Sequence, residues 1–332
     1  MKKNMYAWIE DMLKAPKKKA IPVLSFPGMQ LLNMSVLDII SDSGNQAQCM
    51  KAVADRCDSG AVLSLMDLSV EAEAFGATIK TSPDEVPTVI GQLIDTEEDA
   101  ANLQVPEVGT ARTGLYIEAV KKAAELITDR PILAGCIGPF SLAGRLCDMT
   151  EIMVKCYTEP EVVHTVLEKA TQFIIEYIKA YREAGADGYV MAEPAAGLLS
   201  PDLNAEFSTP YVRRINDACQ SEDFVSVYHN CGNTIPLIDS ILENGSRVLH
   251  FGNAIKLCDI LPLIPSDRVV MGNVSPADEF RGGTPESIYA DTKRVMAECG
   301  AYSNFVISSG CDIPPLSSWD NIDSFFKATV EN

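Results

Sequence analysis

Positive charge is scarce in this chain: 27 lysines and arginines stand against 46 aspartates and glutamates, for a formal net charge of −19. That balance argues against broad electrostatic binding to nucleic acid or to an anionic membrane surface. The one basic run, Lys17 to Lys19, reads as a solvated turn. Long apolar runs are missing too. The nearest approach to the roughly 18 residues of a membrane span lies between Arg130 and Arg145, and Pro131 and Pro139 interrupt it. No transmembrane segment is therefore expected. The opening MKKNMYAWIEDMLK lacks the apolar core of a signal peptide and reads as an amphipathic helix, so the cytoplasm is the expected location. Nucleotide-binding loops are absent as well: neither G-x-G-x-x-G nor the Gly-Lys-Ser/Thr ending of a phosphate loop occurs. There is no internal repeat and no low-complexity tract.

Cysteine, by contrast, is plentiful. Ten cysteines in a large chain without a signal sequence read as reduced thiols rather than a disulfide framework. Cys49, Cys57, Cys136, Cys147, Cys156, Cys219, Cys258 and Cys299 fall mostly within helical or strand patterns, where a free cysteine acts as a small core hydrophobe. Cys231 and Cys311 differ, because each stands beside a glycine at the end of an apolar run.

Apolar runs of strand length recur along the 332 residues, of which 47% are hydrophobic. They are AIPVLSF (20–26), AVLSLM (61–66), PILAGCI (131–137), DGYVMAE (187–193), FVSVYHN (224–230), RVLHFGN (247–253), RVVMGNV (268–274) and NFVISSG (304–310). Near-continuous apolar character without clean alternation suits parallel strands buried on both faces. Helical patterns with clear punctuation lie between them. One has Thr158 placed to cap, Pro160 in the first turn and Gly185 at its stop; another runs from Thr284-Pro285 to Gly300. Eight strands alternating with helices predict a single α/β domain over 1–332, a (β/α)8 TIM barrel. An N-terminal helical extension (1–19) precedes it. An insertion at 69–130, after the second strand, is expected to lie near the barrel mouth.

In such a barrel the chemistry gathers at the C-terminal ends of the strands. His229 and Cys231 close the fifth run, and residues i and i+2 of a strand face the same side, about 6 to 7 Å apart along the chain. Cys311, after the eighth run, is the candidate for a third ligand. Two thiolates and one imidazole suit zinc better than iron or copper, and three protein ligands with one open position is the catalytic zinc pattern. The competing reading has His229 bonded to a loop carbonyl while the two cysteines fill small gaps. His164 reads as a boundary residue of a helix and His250 as a core residue of the sixth strand. Glu193, Glu71 and Asp67 follow strands and are candidates for a fourth ligand or a proton carrier. Each has the alternative of bracing a loop or capping a helix. GPFSLAG, with Gly138 and Phe140, can bring backbone amides close to a ligand. Asn253 and Asn273 end the sixth and seventh strands and are candidates for substrate hydrogen bonds, or for tying down loops.

The ordered segments GPFSLAGRL, GADGYVMAEPAAGLLSP, YHNCGNTIPLIDSILENG, RVVMGNVSP and ISSGCDIPPLSSWDNI together resemble the uroporphyrinogen decarboxylase superfamily, over roughly residues 20 to 325. The branch they resemble most is the zinc-dependent methylcobalamin:coenzyme M methyltransferases and related corrinoid-dependent methyltransferases. The zinc pattern of that branch, H-x-C followed by a distant Cys, falls on His229, Cys231 and Cys311. True decarboxylases carry an arginine-rich segment after the first strand, where this chain has FPGMQLLNMS (26–35). Asp67, in MDLSVEAE, does fall near an aspartate of the decarboxylase motif.

The resemblance implies transfer of a methyl group between a corrinoid such as methylcobalamin, presented by a partner corrinoid protein, and a small acceptor or donor. A zinc-activated thiol such as coenzyme M is the leading acceptor, and Glu193 or Glu71 would guard the fourth zinc position. Three alternatives stay open at this stage: a methyl-donor:corrinoid protein methyltransferase running the other way, a uroporphyrinogen decarboxylase-type lyase, and a non-catalytic barrel that binds a corrinoid protein.

Overall fold

Nine strands occur in the computed structural model, which describes residues 3–17 and 19–331. They are β1 (Val62–Leu63), β2 (Thr78–Lys80), β3 (Thr88–Ile90), β4 (Ile132–Ile137), β5 (Gly188–Ala192), β6 (Val225–Asn230), β7 (Val248–Phe251), β8 (Val269–Val274) and β9 (Phe305–Ser309). Seven of them form one curled parallel sheet in the order β1-β4-β5-β6-β7-β8-β9, with helices in the crossovers. The remaining two, β2 and β3, pair antiparallel inside the expected insertion.

Seven of the eight expected strands are therefore present. The eighth, at 20–26, is not a regular strand, although it lies between the two edges of the sheet. Ile21 N–H donates to the Ile307 carbonyl at 3.1 Å, and Gly60 N–H donates to the Ala20 carbonyl at 2.9 Å. Pro22 then has no N–H to offer a ladder, and Leu24 N–H turns back to the Pro22 carbonyl at 2.9 Å. The segment touches both edges without continuing either pairing.

Alternate strand residues divide between two apolar layers, as a sheet buried on both faces requires. Tyr189 and Met191 join the larger layer beneath the helices, while Val190, Ala192, Val225, Val227, Val248 and Val306 line the concave side. Met5 and Ile9 of the helix Met5–Lys14 belong to the concave cluster. Met5 N–H donates to the Glu222 carbonyl, and Lys3 reaches Asp187 at 3.1 Å. Glu222 and Asp187 precede β6 and β5, so this helix covers the N-terminal ends of the strands and leaves the C-terminal ends to the loops. Burying two such side chains contributes roughly 1.5–3 kcal/mol each. Four residues of the expected regions, Met1, Lys2, Lys18 and Asn332, lie outside the described residues.

Residues 69–130, the expected insertion, hold the helices Val70–Ala74 and Glu97–Asn102 and the β2–β3 hairpin before the helix Thr113–Leu126, which packs on Ser43–Arg56. Two expectations need correction. Thr158 ends the preceding helix Met149–Thr158, and Glu159 rather than Thr158 occupies the cap of Pro160–Glu183, with no side-chain bond. Cys258 is only half-buried, beside Asp259 and Glu298, whereas the other seven cysteines assigned to the core are buried. Thr284 does cap Pro285–Cys299, through a reciprocal pair of bonds with Ser287. None of the helices, among the described residues, is long and apolar enough to cross a membrane.

Candidate metal centre

β6 carries His229 as its next-to-last residue, on the concave side and 3% exposed. The chain then leaves the sheet. Asn230 turns it, donating from Nδ2 to the Glu193 carbonyl at 3.0 Å and accepting the Gly232 N–H at 2.9 Å. Cys231 sits between them. A Cβ on Gly252 would lie 2.5 Å from Cys231 Cα, so only a glycine lets the end of β7 pass this close. On the far side, Gly310 N–H donates to the Val274 carbonyl at 2.7 Å and sets Cys311 just beyond β9.

These turns bring His229, Cys231 and Cys311 together, with one ligand atom from each lying within 4.8 Å of the other two. Cys311 Sγ is 3.3 Å from His229 Nε2. The two thiols are shifted in opposite directions: the hydrogen bond with Cys311, followed by burial, pushes Cys231 up to about 12. The same bond from Cys231 holds Cys311 below the ordinary thiol value, against the effect of burial. Two soft sulfurs and an imidazole nitrogen at this spacing form a donor set that fits zinc. No other convergent group of three or more histidine, cysteine or carboxylate side chains is found among the described residues.

Behind His229 stands His250, directly opposite it in the β6–β7 register. The two Nδ1 atoms are 2.6 Å apart, and His250 Nε2 is 2.8 Å from Ser308 Oγ. Burial, then the neighbouring His229, lowers His250 well below the usual histidine value, opposed by a hydrogen bond with the Ser309 backbone. Sequence reasoning gave His250 only a core role. The signal was available, since both histidines fall near the ends of consecutive apolar runs.

The acids lie apart from this trio. Glu193 directs its carboxylate at the start of the helix Pro139–Cys147, accepting Ser141 N–H at 2.6 Å and Phe140 N–H at 3.1 Å. A Cβ on Gly138 would collide with it at 2.3 Å. Thus Gly138, Phe140 and Glu193 form one unit, in which a buried carboxylate faces a helix N-terminus. Burial is the main cause that pushes Glu193 up to about 7. Glu71 accepts Ile137 N–H at 2.9 Å through one oxygen, while the other is buried without a partner. It too is pushed up to about 7, again chiefly by burial.

Asp67 is fully engaged. Its oxygens accept from Arg112 Nη1 at 2.5 Å, Tyr116 OH at 2.8 Å, and the N–H and hydroxyl of Ser69 at 3.0 and 2.5 Å. Arg112 also bonds Glu73 at 2.6 Å. Nothing in the spacing of Asp67, Arg112 and Tyr116 announces this network, which tertiary packing brings together. Asn273 spends its amide on the carbonyls of Gly252 and Ile255, at 3.0 and 2.9 Å. Asn253 is exposed and packs against Gly310, next to Cys311.

A curled parallel α/β sheet with a thiol–imidazole trio at its C-terminal strand ends defines the general class of this protein. Its sequence matches the uroporphyrinogen decarboxylase (URO-D) family over residues 17–331, and the chain belongs to that family. A methylcobamide:CoM methyltransferase of Methanosarcina acetivorans is 28% identical over 265 residues, 79% of this chain and 76% of that protein. A uroporphyrinogen decarboxylase of Coxiella burnetii is 28% identical over 294 residues, 82% of this chain and 77% of that protein. In three dimensions the chain is similar to a methyltransferase from Methanosarcina mazei, with a TM-score of 0.86, 24% identity and 98% of each chain covered.

Proposed function

We propose that the protein is a zinc-dependent methyltransferase of the cytoplasm that moves a methyl group from a corrinoid, carried by a partner protein, to a small thiol such as coenzyme M. The observation that carries this reading is the convergence of one ligand atom each from His229, Cys231 and Cys311 within 4.8 Å at the C-terminal ends of the strands. In this reading the fold is a single (β/α)8 barrel over 1–332, completed by the segment at 20–26, and 69–130 is an insertion near its mouth.

His229, Cys231 and Cys311 would hold the zinc. Zinc bound there supplies a Lewis-acidic position that keeps an acceptor thiol deprotonated at neutral pH. Overall the acceptor sulfur gains a bond to the methyl carbon, and the cobalt–carbon bond breaks with its electron pair left on cobalt. Among the chain's own groups, Glu193 and Glu71 are two buried acids that burial pushes up to about 7, so each can keep a proton near neutral pH. Glu193 also accepts the amides of Phe140 and Ser141 at the start of their helix, while Asp67 braces Arg112 and Tyr116 and Asn273 ties down the segment after β7. Asn253, exposed beside Gly310, is the rim residue best suited to touch substrate. The decarboxylase reading is disfavoured because residues 26–35 contain no arginine or lysine to clamp a polycarboxylate.

Metal analysis coupled to a methylcobalamin demethylation assay tests the proposal. The cobalt spectrum is followed with coenzyme M, with other thiols and, in the reverse direction, with methylated donors. About one zinc per chain is expected, with thiol-dependent loss of the methylcobalamin spectrum. A wild type that is fully active without metal, or that turns over uroporphyrinogen instead, ends this reading.

A further inference from the structure

We propose that His250 and Ser308 are positioning residues that fix the tautomer of His229, holding a proton on its Nδ1 and leaving Nε2 as a bare lone pair toward the two thiols. The inference rests on the reading of His229, Cys231 and Cys311 as a metal-ligand set, but its geometry can be tested separately from it.

The direction of the hydrogen bonds follows from the far end of the chain of contacts. Ser308 Oγ is 2.7 Å from the Ile21 carbonyl. A carbonyl oxygen only accepts, so the single hydroxyl proton of Ser308 is committed to Ile21. Toward His250 Nε2, 2.8 Å away, Ser308 can then only accept, and Nε2 must carry the proton. A neutral imidazole has one N–H, which makes His250 Nδ1 an acceptor. Its partner at 2.6 Å is His229 Nδ1, which must donate. His229 Nε2 is left without a proton, 3.3 Å from Cys311 Sγ.

Every member of this relay is held in place. His229 is 3% exposed, His250 1% and Ser308 0%. Reversing any one bond would set two donors or two acceptors face to face, at the cost of a buried unsatisfied group. His229 and His250 are opposed in the β6–β7 register, and Ser308 is fixed within β9. Ile21 is tied by its own N–H to Ile307, so the terminal acceptor does not drift.

Zinc-bound histidines commonly give their second N–H to a carboxylate or a backbone carbonyl. Here an imidazole and a hydroxyl stand between the ligand and the carbonyl. The relay is neutral, so no negative charge is added behind a site that already offers two thiolates.

The test begins with metal-free wild type containing nitrogen-15 histidine, whose imidazole tautomers are read from long-range proton–nitrogen correlations. His164→Gln assigns the third ring. The expected spectrum has His229 protonated on Nδ1 only and His250 on Nε2 only. An Nε2–H tautomer of His229, or a doubly protonated His250, overturns the proposal. In Ser308→Ala the tautomers should mix and zinc affinity, read by competition with a chromophoric chelator, should fall about 10- to 100-fold. Ser308→Thr, which keeps a hydroxyl, should restore both readouts. Unchanged tautomers and affinity in Ser308→Ala would also overturn the proposal. A wild type with the expected tautomers but no zinc would remove the metal reading and leave the relay standing.

Discussion

Nε2 of His229 lies 3.3 Å from Sγ of Cys311, although 82 positions separate the two residues in the chain. One stands near the end of β6 and the other just past β9, with β7 and β8 between them in the sheet. Across a flat sheet three strand spacings amount to about 14 Å. Curling brings the two ends together, so the candidate site depends on the whole sheet rather than on any local motif.

Cys231→Ala and Cys311→Ala should each abolish stable zinc binding while leaving the metal-free fold nearly unchanged. Both cysteines are only partly buried, so truncation opens little apolar cavity. Metal content by plasma emission and denaturation midpoints of the metal-free proteins are the measurements. Full zinc occupancy in Cys311→Ala would remove it from the ligand set.

Asp67→Ala should destabilise the protein by about 1–3 kcal/mol, the usual range for leaving buried donors without their acceptor, since Arg112 keeps Glu73 as an ionic partner. The Asp67 side chain is 0% exposed and Arg112 15%, and Tyr116 and Ser69 lose their acceptor as well. Asp67→Asn, which keeps an acceptor oxygen, should cost less. Urea denaturation of the two variants ranks them, and equal midpoints for wild type and Asp67→Ala would contradict a bracing role.

The strands around the site were legible because parallel strands buried on both faces show as short, nearly continuous apolar runs. The run at 20–26 reads the same way, but Pro22 withdraws a donor from the ladder and the segment bridges two edges instead. His229, Cys231 and Cys311 were legible because each ends such a run. The partners of the acids were not. Glu193 bonds to amides more than fifty positions away and Asp67 to a side chain forty-five positions away, and such pairings are decided by tertiary packing. Whether Glu193 capped a helix or faced a ligand was open in the sequence for that reason.

Glu71→Gln should flatten part of the pH dependence of stability. Burial raises this carboxyl from 4.5 to about 7 in the folded protein. Between those values the folded state holds a proton that the unfolded chain has released, so the free energy of unfolding falls as pH rises. The contribution is fully present below about pH 4.5 and is lost as pH passes through about 7. From about pH 4.5 to about pH 8 the wild type should lose up to about 3 kcal/mol relative to the variant. Gln keeps the acceptor for Ile137 N–H, so the variant should fold. Parallel pH profiles for the two proteins would mean that Glu71 is ionised in the folded state across this range.

Gly252→Ala should weaken zinc binding without altering any ligand. Gly252 follows β7, and its N–H donates to the Asn230 carbonyl at 3.1 Å, which draws the two chain ends together just where Cys231 leaves the sheet. An added Cβ would stand 2.5 Å from Cys231 Cα and 2.7 Å from its Cβ, far inside van der Waals contact. These are backbone and near-backbone atoms, so no flexible side chain can swing aside, and the loop after β6 must move. Cys231 Sγ moves with it, while His229 stays in its strand and Cys311 remains anchored beyond β9. Overpacking of this kind typically costs about 1–3 kcal/mol, and the misplaced sulfur should appear as a larger loss in zinc affinity than in the stability of the metal-free protein. Chelator competition and urea denaturation of Gly252→Ala give the two numbers. Unchanged zinc affinity beside a large loss of stability would mean that the strain is relieved away from Cys231.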